Sequence, residues 1–127
     1  MRHQLDERGA AVTDFAMVSV LVVLLFLTVL QLGLALHARN TLISCAAEGA
    51  RLGARADAVA GQGVSRTQTL ISESLSPRYA RQVTSREGLV GGVRVVEVRV
   101  VAPVPVFGLL GPDDRLDVVG RAFLESQ

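Results

Sequence analysis

Asp14 is a carboxylate at the lip of an uncharged run, immediately before Phe15, and Gly9 stands five residues earlier. A break after Gly9 would leave a new amine on Ala10, with an ordinary pKa of about 7.7–8.0. Asp14 lies four residues from that amine, one turn along the same helical face. An unpaired charge costs about 2.5–3.5 kcal/mol at the centre of a membrane span and less at its edge. Carboxylate and amine can therefore neutralise one another within a chain. They can also meet between chains offset along a bundle axis, where the correct stagger brings them together and fixes register. The plainer alternative is an acid at a helix N-terminus, stabilised by the helix dipole.

The other reactive side chains do not converge. His3 and His37 flank the apolar run without metal-ligand partners at useful spacing. Gly61-Gln62-Gly63 lacks the lysine and the strand–helix context of a phosphate loop. Asp113, Asp114 and Asp117 follow Pro112, where a solvated hairpin corner accounts for them and calcium is the competing reading. No Ser–His–Asp arrangement can be built with both histidines beside the span. Cys45 is the single cysteine, which excludes an intrachain disulfide and leaves an interchain bridge or simple packing. Thirteen basic residues, all arginine, are interspersed with twelve acidic ones, which gives no nucleic-acid footprint. The expectation is a protein that is not an enzyme, with no cofactor, no metal and no small-molecule substrate.

The elements around these residues change character along the chain. Phe15–Leu36 is 22 residues without a charge, fifteen of them Leu, Val or Phe. At about 1.5 Å per residue the run is long enough to cross a hydrocarbon core of about 30 Å. A secretory signal would have a shorter apolar region and a small residue where Leu36 stands. Beyond the span, Ala38, Leu42, Cys45, Gly49, Leu52, Ala56 and Val59 recur at helical spacing. Arg39, Asn40, Ser44, Glu48, Arg51 and Arg55 lie opposite. The spacing predicts one helix from near Ala10 to Ala60. Gly49 and Gly53, with Ala46 and Ala50, make part of its surface small enough for another backbone to approach, either the protein's own sheet or neighbouring copies.

Ala60-Gly61-Gln62-Gly63 reads as the end of this helix. Ser65 reads as the N-cap of a short helix over Arg66–Leu75, closed by Ser76-Pro77. The period then becomes two. Strands are expected over Tyr79–Arg86, Val93–Val101 and Leu116–Leu124, with Gly91-Gly92 as the first turn. Val96, Val98 and Val100 share one face and Glu97 and Arg99 the other. The adjacent Val95 and Val96 imply a bulge or cover on both faces. Residues 102–112 are too apolar for an idle loop, and their prolines exclude an inner ladder; they would fold back over the sheet or touch a partner. The whole is an α+β membrane protein: leader 1–9, transmembrane and amphipathic helix 10–60, turn and short helix 61–77, and a small antiparallel sheet of about three strands over 78–127.

Leader and Gly9, then Ala10-Ala11-Val12-Thr13-Asp14-Phe15, the apolar span, and His37-Ala38-Arg39 leading to Ala46-Ala47-Glu48-Gly49-Ala50-Arg51 resemble the TadE-like minor pilins, or pseudopilins, of tight-adherence pili. The resemblance covers about residues 7–55. It implies cleavage between Gly9 and Ala10 by a membrane-embedded prepilin peptidase. It also puts Asp14 and Phe15 at the docking position, where the family usually has Glu rather than Asp. The implied partners are the bilayer, that peptidase, other pilin subunits and the pilus assembly platform. Arg2 and Arg8 against Arg39, Arg51 and Arg55 give no decisive charge bias. The resemblance therefore sets the orientation: leader in the cytoplasm, C-terminal domain outside. The competing reading is an uncleaved single-pass anchor whose small domain binds a partner or ligand.

Overall fold

The computed structural model describes residues 2–105 and 115–125. The chain divides into two compact units, Met1–Gly33 and Leu34–Gln127. Helix α1, Arg2–Gly53, runs through both. The first unit is helix alone. Its side chains are almost all exposed, with Phe15 at 75% and Leu21 and Phe26 each at 65%. This helix is long and apolar enough to cross a membrane. Thr28 Oγ1 donates to the Leu24 carbonyl at 2.8 Å, so the hydroxyl in the middle of the apolar run has its own acceptor. The helix does not begin at Ala10: His3 to Gly9 is already helical. Arg, Gln, Leu and Glu are good helix formers, and no proline or capping residue interrupts them.

The second unit places α1 from Leu34 onward with α2 (Gln62–Ser74), a 3-10 turn (Pro77–Ala80) and three strands, β1 (Gln82–Val90), β2 (Val93–Pro103) and β3 (Arg115–Phe123). The sheet is an antiparallel meander in the order β1-β2-β3. Val83, Val96, Val98, Val100 and Val118 form one core cluster with Leu42, Ala46 and Ala50 of α1, Ala54 just past its end, and Ile71 of α2. Leu42, Ile71, Val98 and Val100 are fully buried, each contributing about 1.5–3 kcal/mol relative to exposure. The β1–β2 turn is Gly91-Gly92, with φ of +58° and +80°. Positive φ at both central residues is the hairpin geometry whose twist matches the strands.

Several boundaries differ from the sequence expectation. α1 ends at Gly53, not Ala60, and Val59 is 72% exposed. The cause is tertiary: Glu125 N–H donates to the Ala54 carbonyl at 2.9 Å, and Ala56 N–H donates to Glu125 Oε2 at 3.3 Å. The chain after β3 thus stitches the end of α1. Ser65 does not cap α2, which starts at Gln62 behind Gly61 at φ 80°. Gly63 is needed inside the helix because it lies against α1, where a Cβ would fall 2.8 Å from the Gly49 carbonyl oxygen. β1 begins at Gln82 rather than Tyr79. Pro77, capped by Ser76, starts a helical turn that buries Tyr79 and Ala80. Val95 and Val96 lie in regular register, opposite Gly88 and Glu87. No bulge forms, and both are buried, on opposite faces. Pro103 ends β2 opposite Arg115, beyond the last β1 pair, Gln82 with Val101, so it interrupts no inner ladder. Residues 106–112 of the proposed tip, and Asp113 and Asp114, lie outside the described residues.

Candidate processing and packing sites

Gly9, Ala10, Asp14 and Phe15 all lie on one continuous helix. A Cβ added at Gly9 would meet nothing within 4 Å. Glycine costs about 1 kcal/mol relative to alanine in a helix interior, and here neither a neighbour nor a positive φ requires it. Thr13 Oγ1 donates to the Gly9 carbonyl at 3.0 Å. Asp14 and Phe15 are exposed, and among the described residues Asp14 forms no ion pair. Ala10 and Asp14 keep the one-turn separation that an amine–carboxylate pair needs.

Gly49, Gly53, Ala46 and Ala50 are placed in the second unit, where their small size serves contacts within the chain. A Cβ at Gly49 would overlap the Thr67 hydroxyl and come within 2.6 Å of the Gly63 carbonyl oxygen. One at Gly53 would lie 3.5 Å from both Gly63 Cα and a Val96 methyl. Ala46 and Ala50 are fully buried. The sequence pattern missed the tightest approach to backbone among the described glycines, which is made by Gly120 of β3. A Cβ there would collide with the backbone of α1 at Ala46 and Ala47, 2.6 Å from the Ala46 carbonyl oxygen. The clue was available, since Gly120 continues the alternation of Leu116, Val118, Ala122 and Leu124 on the inner face.

On the other face of the sheet, Glu97 of β2 is 7% exposed. It accepts from Arg86 Nε at 2.8 Å and Arg121 Nε at 2.5 Å. Register puts Arg86, Glu97 and Arg121 in one row across the three strands. Hydrogen bonds from Arg121 and then Arg86 hold the Glu97 carboxyl below its ordinary value. Arg99 grips Asp117 through two nitrogens, which lowers the Asp117 carboxyl and raises the Arg99 guanidinium. These acids are satisfied by neighbouring arginines, and both acids, with Arg86 and Arg99, line one open cavity with Thr84, Ser85 and Val119. Cys45 is buried, and its thiol is pushed up by that burial, against a lowering hydrogen bond with Ser74. Among the described residues no group of His, Cys, Asp and Glu is arranged to hold a metal.

These features define a class: an apolar N-terminal helix long enough for a bilayer, followed in sequence by a small α+β unit built on close backbone contacts. Residues 9–51 match the family model described as TadE-like protein. The match covers about a third of the chain, and over that segment the chain is similar to TadE-like proteins of the tight-adherence pilus system. The family is pilus-associated and structural in kind, and implies association with a membrane and with pilus subunits. No match was found among curated proteins or among solved structures.

Proposed function

We propose that the chain is a minor pilin or pseudopilin. In this reading a prepilin peptidase cuts it between Gly9 and Ala10, and it acts in assembling a tight-adherence pilus or in the secretion machinery beneath one. The supporting observation is that Gly9 occupies an open helical position where the fold has no use for it. A pocket that excludes side chains beside the cut supplies that use. Cleavage turns Ala10 into a cation one turn from Asp14, and a neighbouring copy at the correct stagger can satisfy either charge. The leader lies in the cytoplasm and the α+β unit outside.

The N-terminal residue of the mature protein decides between this and the uncleaved anchor. Ala10 supports the pilin reading, and Met1 or Arg2 overturns it. Gly9→Leu is expected to accumulate as the full-length chain. Asp14→Ala should be cut as usual yet fail to assemble, whereas Asp14→Glu should assemble. Normal piliation by Asp14→Ala would remove the register role while leaving cleavage intact.

A further inference from the structure

The Gly9–Ala10 peptide lies inside an unbroken helix, yet a peptidase needs an extended chain at the bond it hydrolyses. Water must add its oxygen to the Gly9 carbonyl carbon while the bond to the Ala10 nitrogen breaks and that nitrogen takes a proton. For this the Gly9 carbonyl has to leave the helical ladder. Opening the turn orphans that carbonyl and the Thr13 N–H that shares its ladder bond. At the edge of a bilayer orphaned backbone groups are expensive, and Ser or Thr side chains are one means of satisfying them.

Thr13 Oγ1 already donates to the Gly9 carbonyl at 3.0 Å. Carried on a rotatable side chain, the hydroxyl can follow the carbonyl as the backbone opens. A hydroxyl bonded four residues back also competes with the ladder N–H and loosens that turn, and Gly9 weakens it further. Thr28 makes the same bond to Leu24, but residues 24–27 of that turn include no glycine. Thr67 of α2 makes the same bond to the Gly63 carbonyl at 2.8 Å, but that pair is buried against Gly49, whereas Gly9 and Thr13 are exposed.

We propose that Thr13 is a positioning residue for maturation: its hydroxyl keeps the Gly9 carbonyl hydrogen-bonded while the turn over residues 9–13 unwinds into the peptidase. The proposal rests on the reading that the chain is cut after Gly9. The test is pulse–chase of the full chain in its native host, with mass spectrometry of the N-terminus. Thr13→Val keeps shape and removes the donor; loss of one hydrogen bond from the opened state should slow cleavage about five- to tenfold. Thr13→Ser should cut at close to the wild-type rate. Adding Ala11→Gly to Thr13→Val should recover most of the rate by loosening the same turn. If the wild type begins at Ala10 and Thr13→Val is cut equally fast, the role of Thr13 is wrong and the cleavage reading stands. A Thr13→Ser variant as slow as Thr13→Val, or no recovery with Ala11→Gly, also overturns it. A working wild-type protein that retains residues 1–9 overturns both.

Discussion

Gly9 and Gly120 are the same residue under opposite constraints. Around Gly9 there is open space in every direction a side chain could take, as there is around Gly33. At Gly120 the backbone of α1 occupies the place where a Cβ would go. In the first unit glycine weakens a helix that would be better without it, so its reason must be sought in what the helix meets. In the second unit glycine lets β3 and α2 lie against α1 at backbone distance, so its reason is the fold itself. A sequence scan scores both as helix or strand breakers and cannot tell them apart.

The contrast is sharpest at Gly120. Gly120→Ala should lose about 3 kcal/mol or more of stability, because backbone rather than a flexible side chain must move. Urea unfolding of the full chain in detergent measures it, and an unchanged midpoint would break the close-approach argument. A smaller, pH-dependent effect is expected on the outer sheet face. The Glu97 and Asp117 carboxyls are lowered in the folded state. The stability they supply is present above the unfolded carboxyl values of about 4 and is lost as pH falls through the lowered folded values. Acid unfolding curves of Glu97→Gln should therefore be flatter below pH of about 4 than those of the wild type. Equal slopes would remove the Arg86–Glu97–Arg121 row from the acid response. The least effect belongs to the open positions. Gly33→Ala should leave thermal stability unchanged and raise helicity slightly, read by circular dichroism in detergent, since alanine is favoured by about 1 kcal/mol in a helix. A destabilised Gly33→Ala would erase the distinction between the two regions.

What the residues disclosed in advance follows the reach of each signal. The apolar run, the Gly91-Gly92 hairpin and the alternation of Val96, Val98 and Val100 are local patterns, and all three appear where expected. The end of α1 was misplaced because its terminal groups are met by Glu125, roughly seventy residues on. The start of α2 was misplaced because Gly63 is helical for the sake of Gly49. The row of Arg86, Glu97 and Arg121 needed the register of three strands, which alternation within one strand cannot supply. At the proposed processing site the hydroxyl of Thr13 on the Gly9 carbonyl was not legible in the sequence, since threonine in a helix has more than one rotamer open to it.

Cys45 has a consequence of its own. The one thiol in the chain is buried in the core cluster and hydrogen-bonded to Ser74, so an alkylating reagent reaches it faster when the packing of α1 against α2 opens. Its labelling rate is thus a clock for breathing of the α+β unit. A covalent link between copies through this sulfur would first require that unit to come undone.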